Sequence, residues 1–350
     1  VQILEHVPMA PYTTLKIGGP ARYFASATSE PEVREALRFA RERNLPVFVL
    51  GGGSNLVVSD AGFVGLVLHV ALTPGYAQRE DGNFMSFEVS AGMDWDAFVL
   101  EVCTQGLSGV ECLAGIPGLV GGTPVQNVGA YGQEVAQTIA SVTVLDREDL
   151  EAPARRLAAA ECGFGYRRSR FNATEPARWI VLAVEFRFDR RAKPSLTYAD
   201  LKPLAEKNPT PLEVYECVRR IRAAKGMLID TADVSGDTRS AGSFFKNPVV
   251  ASSSLERVAE VLALAPAQVP HWPAGESQVK LPAAWLIERA GFSKGFAAGN
   301  VGLSSRHTLA LINSSGTATC AELLGLRDRI VAAVEERFGV RLEQEPVLLG

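Results

Sequence analysis

Basic residues are not in excess: 35 Lys and Arg stand against 39 Asp and Glu over 350 residues, a formal net charge of -4, with no outstanding run of like charge. A chain without a basic stripe has little with which to neutralise a polyphosphate backbone, so no nucleic-acid partner is expected. Cysteine and histidine are scarce as well. The five cysteines, Cys103, Cys112, Cys162, Cys217 and Cys320, are odd in number and scattered, with no C-x-x-C pair, which argues against a disulfide framework. The four histidines, His6, His69, His271 and His307, are equally dispersed, and no metal site is expected. Between Glu111 and Glu134 no charge occurs over a length that would cross a bilayer, but Pro117, Pro124, Gln126, Asn127 and many glycines break any spanning helix. The stretch reads as a buried, glycine-rich loop, and no membrane partner is expected. The first residues lack the basic start, apolar run and small-residue site of a secretory signal, so the cytoplasm is the expected location. Nothing marks an obligate protein partner.

What is present is a soluble globular composition, 47% apolar and 21% charged, long enough for two or three domains. From Glu30 to near Asn44, Val33, Ala36, Leu37 and Ala40 share a helical face. The run Leu45 to Leu50 stops at Gly51-Gly52-Gly53-Ser54-Asn55, after which Leu56 to Val58 and Leu66 to Val70 have strand character. Asp94 is placed to cap a helix carrying Trp95, Phe98, Val99 and Val102, stopped by Gly106. Period-two alternation marks Ile139 to Leu145 and Val181 to Phe188 as strands. Two capping boxes, Thr210-x-x-Glu213 and Thr319-x-x-Glu322, open the later helices, the second closed by Gly339. With both periodicities and no regular strand-helix repeat, the fold class is α+β.

Two glycine loops carry the chemistry. In Gly51 to Asn55 no side chain blocks the backbone, so its N–H groups suit a pyrophosphate, although a tight turn is an equal use of the same residues. It is not a dinucleotide fingerprint, since Leu56 stands where the third glycine belongs. The loop Gly115 to Tyr131 (GIPGLVGGTPVQNVGAY) is more unusual: glycines mixed with Thr123, Gln126 and Asn127 suit a large, flat, neutral partner such as an isoalloxazine ring, the alternative being a buried connection. Phe164-Gly165-Tyr166-Arg167-Arg168-Ser169 offers a guanidinium to a carboxylate, or is a solvated pair of cations. Gly242-Ser243-Phe244-Phe245-Lys246-Asn247-Pro248 sets a serine hydroxyl against apolar walls, where it can donate a proton, or simply turns into a buried Phe pair. Ser243-x-x-Lys246 and Ser277-x-x-Lys280 match the spacing of serine acyl-hydrolases, but the supporting S-D-N and K-T-G elements are missing. The tail Leu342 to Gly350 reads as a strand bearing Glu343 and Glu345.

Taken in order, these strings resemble the UDP-N-acetylenolpyruvoylglucosamine reductase (UDP-N-acetylmuramate dehydrogenase) family, from Thr14-Leu15-Lys16-Ile17-Gly18-Gly19-Pro20-Ala21 to Glu345. The resemblance implies a two-part FAD-binding domain of the vanillyl-alcohol oxidase type followed by a smaller α+β substrate-binding domain. The expected boundaries are 1-70 and 71-224 for the FAD-binding parts and 225-340 for the substrate domain, with strand 341-350 returning to the first part or to the active site. It implies non-covalent FAD, reduced by NADPH, which then leaves; UDP-N-acetylglucosamine enolpyruvate takes a hydride from flavin N5 in the same cleft, in peptidoglycan precursor synthesis. The FAD segments map onto Gly51, Gly52, Gly53, Ser54, Asn55 and Leu56, and onto Gly115, Ile116, Pro117, Gly118, Gly121, Gly122, Thr123, Gln126, Asn127, Gly129, Ala130 and Tyr131.

By the same resemblance Arg167 polarises the substrate carboxylate with Tyr166 beside it, Glu345 stabilises the enol, and Ser243 protonates C2. Lys225, Asn247 and Lys280 match positions that bind the nucleotide diphosphate. Leu196 to Leu201 resembles the loop of the longer family type, which makes Tyr198 the candidate lid. The segment Lys225 to Ser243 is longer than the link in many relatives, and the tail puts a proline after Glu345, which is preferred over Glu343. Two other readings stay open. An FAD-dependent oxidase on this fold needs a different substrate cap, and its covalent members need a His or Cys that neither glycine loop holds. A non-catalytic nucleotide-sugar or flavin binder has no use for Arg167, Ser243 and Glu345 together.

Overall fold

Two hydrophobic cores organise the computed structural model of the chain, which describes residues 1–229 and 236–350. Each core belongs to one of two units, and neither unit is one continuous segment. The first comprises Val1–Val7, Ala21–Gly53 and Phe63–Ala223; the second comprises Pro8–Pro20, Ser54–Gly62 and Ala224–Gly350.

In the first unit a four-stranded sheet has the order Ile3–Pro8, Pro20–Ala27, Phe63–Val70, Val47–Leu50. The strands Pro20–Ala27 and Val47–Leu50 both run parallel to Phe63–Val70, with Phe24 and Phe48 each opposite Val67. Parallel neighbours need a crossover, and helix α1 (Glu30–Glu42) supplies it, burying Val33, Ala36, Leu37 and Ala40. A second, five-stranded antiparallel sheet has the order Arg155–Ala158, Ile139–Asp146, Trp179–Asp189, Phe84–Ser90, Tyr76–Asp81. The alternating strands of this sheet bury one face under helix α2 (Trp95–Thr104), whose Asp94 cap accepts a hydrogen bond from the Ala97 N–H at 2.8 Å. Phe98 lies at the centre, its ring 4.9 Å from that of Phe186, 5.8 Å from Phe87 and 6.0 Å from Trp95. A short helix α3 (Lys202–Ala205) and the longer α4 (Pro211–Ala224) complete the unit. The capping box of α4 forms: the Thr210 N–H and hydroxyl both donate to Glu213, whose N–H returns a bond to Thr210 Oγ1.

The second unit packs α5 (Ser252–Val261), α6 (Ala283–Arg289) and α7 (Cys320–Phe338) with two small antiparallel sheets. The Thr319 box opens α7, and Gly339 closes it in the left-handed region at φ +67°. Asp60 reinforces the start, accepting from the Cys320 and Ala321 N–H groups at 2.7 and 2.9 Å. The expected terminal strand is shorter than its apolar pattern. The tail divides at Pro346, which has no N–H to give to a ladder: Val347–Leu349 forms a strand in parallel with Leu56–Val58, and ahead of it Gln344 makes a lone antiparallel bridge to Phe245. Both acids of the tail therefore stand ahead of the strand. Of the long Lys225 to Ser243 segment, residues 230–235 lie outside the described residues. Among the described residues no helix is long and apolar enough to cross a membrane, and no group of His, Cys, Asp or Glu could hold a metal ion.

Candidate active site

In the first unit the two glycine loops touch. A methyl group at Gly52 would lie 2.5 Å from Gly118 Cα, whereas one at Gly51 or Gly122 would meet nothing within 4 Å. Gly52 is thus the contact that allows close approach of the loops, and the room lies beside Gly51 and Gly122. Such a cradle, bare of side chains, fits the backbone-lined binding of a diphosphate and a flat ring.

The loop is held in shape by its own polar side chains. Thr123 is buried and its hydroxyl donates to the Val120 carbonyl at 2.8 Å. Asn127, also buried, stands at φ +47°; its amide donates to Glu134 at 2.8 Å and to the Gly165 carbonyl at 3.1 Å, while its oxygen accepts from the Ala136 N–H. These two side chains are turned into the protein, where they fix the shape of the loop backbone. Gly115, Gly118, Gly121, Gly129, Ala130 and Gln126 remain along the loop with Ile116 and Pro117, and Gly118 and Gly115 adopt φ of +131° and +69°.

The same loop anchors the turn that carries Arg167. Asn127 reaches Gly165, Ser169 Oγ donates to the Val125 carbonyl at 2.5 Å, and Arg167 Nη2 donates to the Gly129 carbonyl at 3.0 Å. Arg167 sits at φ +53°, a conformation that costs a non-glycine residue about 1–3 kcal/mol and persists only where the surroundings over-determine it. Its guanidinium is 5.6 Å from the Tyr166 ring, and Tyr166 is exposed. Tyr198 meets the loop edge-on, its ring 5.3 Å from that of Tyr131 at 88°. Burial, with Asp200 nearby, pushes the Tyr198 hydroxyl above its ordinary value.

The second unit gathers the other candidates. The Glu345 N–H donates to the Phe244 carbonyl at 2.9 Å, and the Lys246 N–H donates to the Glu343 carbonyl at 2.9 Å. This short antiparallel pairing brings Ser243 and Glu345 onto adjacent chains. Asn55 joins them: its amide donates to the Glu345 carbonyl at 3.4 Å, and its own carbonyl accepts from the Val347 N–H at 2.9 Å. Ser54, beside it, accepts from Thr14 Oγ1 at 3.5 Å, and Leu56 begins the strand paired with the tail. The two acids separate clearly. Glu343 is exposed and pairs with Lys246 at 3.4 Å, while Glu345 is half-buried. Asn247 Oδ1 accepts from the Ala283 N–H at 3.0 Å at the start of α6, which commits the carbonyl end of its amide and leaves the NH2 as donor. Lys280 lies opposite both Val249 and Trp272, with its ammonium 5.9 Å from the Trp272 ring. Trp272, exposed in the structure, carries no motif in the sequence beyond an aromatic set between Pro270 and Pro273. Lys225 follows α4 directly and is half-buried.

Residues 232–349 match the family model described as UDP-N-acetylenolpyruvoylglucosamine reductase, C-terminal domain, and residues 21–149 match that of an FAD binding domain. The UDP-N-acetylenolpyruvoylglucosamine reductase of Thermobifida fusca is 46% identical over 99% of this chain and 98% of its own length. The chain belongs to that family. Its relative in Streptomyces coelicolor is 47% identical, covering 100% of this chain and 91% of the relative, and that in Pseudomonas putida is 42% identical over 99% of both. The crystal structure of UDP-N-acetylenolpyruvylglucosamine reductase from Thermus caldophilus superposes with a TM-score of 0.66 at 27% identity, over 100% of this chain and 99% of that one. As a member of the reductase family the protein is an FAD-dependent oxidoreductase of peptidoglycan precursor synthesis, with an FAD-binding domain, a family-specific C-terminal domain and NADPH as its hydride donor.

Proposed function

We propose that the chain reduces UDP-N-acetylglucosamine enolpyruvate to UDP-N-acetylmuramate in two half-reactions, with parts 1-70 and 71-224 holding FAD and part 225-340 the nucleotide sugar. The observation that supports the assignment of roles is the pairing of Phe244 to Lys246 with Glu343 to Glu345, in which Phe244 lies opposite Glu345 and Ser243 directly precedes Phe244. FAD, held by the two glycine loops, supplies the two-electron relay between NADPH and the enolpyruvyl group.

The protein's own groups do the rest. Arg167, already shaped by the Gly129 carbonyl and a strained turn, holds and polarises the substrate carboxylate. As the electron pair arrives at C3, charge builds on that carboxylate, where Arg167 holds it, and Glu345 assists in stabilising the enol. Ser243 donates its hydroxyl proton to C2. A serine is a weak acid, so this step depends on the strongly basic carbon facing it and on resupply of the proton through a lysine or water. Lys225, Asn247 and Lys280 bind the diphosphate, the amide NH2 of Asn247 being the end that its helix contact leaves as donor. Tyr198 closes over the bound sugar from its perch on Tyr131.

The test is an anaerobic visible spectrum of the purified protein with NADPH added first and the enolpyruvyl sugar second. Bleaching of the flavin band by NADPH and its return with the sugar is the expected result. A band that returns only with air assigns an oxidase instead, and a protein that neither contains nor binds FAD overturns the reading.

A further inference from the structure

Gly115, the first residue of the second glycine loop, is gripped at both of its backbone groups by charged side chains from two different helices. Its N–H donates to Asp96 Oδ1 at 2.6 Å, and its carbonyl accepts from Arg222 Nε at 3.0 Å. Asp96 stands in the first turn of α2, and Arg222 in the last turn of α4. The second oxygen of Asp96 ties those helices together: it accepts from the Tyr215 hydroxyl at 3.2 Å and forms an ion pair with Arg219. Tyr215, Arg219 and Arg222 are spaced i, i+4, i+7, so one face of α4 carries the whole partner set.

Charged groups of this kind are costly to bury. Burial pulls the Arg222 guanidinium below its ordinary value and pushes the Tyr215 hydroxyl up to about 12, with Asp96 adding to the latter. A loop that needed only a tether would be satisfied by backbone bonds. The first turn of α2 also makes uncharged contacts, one from the backbone and one from a side chain: the Trp95 N–H donates to the Gly118 carbonyl at 3.0 Å, and the indole Nε1 of Trp95 donates to the Leu113 carbonyl at 3.1 Å. Residues 113, 115 and 118 are therefore all registered to residues 95 and 96, and Gly118 is the residue against which Gly52 packs.

We propose that Asp96, braced by Arg219 and Tyr215, is a positioning residue for the cofactor, one that sets the conformation in which the Gly115 to Gly118 loop receives FAD. The proposal rests on the reading that this loop holds FAD, and the controls separate the two. Asp96 acts through Gly115. An asparagine in its place keeps an acceptor for the Gly115 N–H but loses the charge that Arg219 braces; an alanine loses both.

The experiment is a titration of flavin-stripped full-length protein with FAD, followed by flavin fluorescence. It is paired with thermal melts of the stripped protein and visible spectra at saturating FAD. Asp96→Asn is expected to weaken FAD binding by about tenfold and Asp96→Ala by more, since a charge-assisted contact is worth on the order of one decade in affinity. The fine structure of the bound-flavin band should change in both. Arg219→Gln, a milder change on a half-buried side chain, should weaken binding in the same direction and serves if Asp96→Ala does not fold. Gly52→Ala is the control for the loop itself. If the Asp96 variants melt lower yet bind FAD with wild-type affinity and spectrum while Gly52→Ala binds it weakly, Asp96 is merely structural and the proposal falls, with the loop reading intact. If Gly52→Ala also binds FAD like the wild type, the loop reading falls with it.

Discussion

The contact between Gly52 and Gly118 makes the two-loop account most exposed to a single methyl group. A Cβ built on Gly52 lies 2.5 Å from Gly118 Cα, 3.1 Å from its carbonyl carbon and 3.3 Å from Leu119 N, all backbone atoms that cannot swing aside. Ordinary contact starts near 3.4 Å, so the loops must part by about 1 Å, and overpacking of this order costs about 1–3 kcal/mol. Gly52→Ala should lose that much stability when free of FAD. Because the displaced backbone is the cradle itself, FAD affinity should fall by about five- to a hundredfold, one decade for each ~1.4 kcal/mol. Gly51→Ala is the counterpart. Its methyl group meets nothing within 4 Å, so stability should stay within about 0.5 kcal/mol, and any loss of FAD affinity then reports the ligand's own occupancy of that space. Urea melts of the flavin-stripped proteins and FAD titrations measure both quantities. A Gly52→Ala protein as stable as the wild type and with the same affinity would refute the reasoning.

Other outcomes follow from the same structure. Burial raises the Cys112 thiol to about 12 and that of Cys162 to about 11, and pushes the Cys103 thiol higher still. A thiol reagent at pH 8 should therefore label none of these three in the native protein and all of them in denaturant; rapid native labelling of Cys112 would contradict the packing. Phe98→Ala empties the centre of an aromatic cluster and should cost about 3–5 kcal/mol in a urea melt, a loss below 1 kcal/mol being incompatible with the observed contacts. Glu175 is held down to about 2 by its hydrogen bond from Arg170, with Trp179 Nε1 donating at 2.7 Å. A carboxylate with a lowered pKa contributes stability that is complete above its ordinary value near 4.5 and lost as pH falls through about 2. The stability gap between wild type and Glu175→Gln should accordingly be widest at neutral pH and close toward pH 2; a gap that does not vary with pH would contradict the assignment.

The elements with strong local signals were legible in the sequence, and the long-range arrangements were not. Helix α1 follows from four apolar residues on one face, and α4 and α7 from their capping boxes, because each signal lies within a turn or two of the element it starts. The strands Ile139–Asp146 and Trp179–Asp189 follow from alternation. The tail differs from its pattern: the apolar run favours one strand from Leu342, but Pro346 cannot donate to a ladder, so Val347–Leu349 alone forms a named strand and Gln344 ahead of it makes a lone bridge to Phe245. The family motifs name the glycine loops, Arg167, Ser243 and Glu345 as candidates. They did not reveal what holds them. Thr123 and Asn127 look like ligand donors in a list of residues, yet both face inward, since a glycine-rich loop has few other means of fixing its own shape. Asp96, Arg219 and Gly115 are separated by 19 to more than a hundred positions, and no local pattern links an acid on one helix to an arginine face on another.

The role of Ser243 is the most direct test of the account. Stopped-flow absorbance on Ser243→Ala separates the two half-reactions: NADPH should bleach the flavin at the wild-type rate, and return of the band with UDP-N-acetylglucosamine enolpyruvate should slow by about 10²- to 10⁴-fold, since only that half needs a proton at C2. Equal slowing of both halves, or an unimpaired second half, would contradict it.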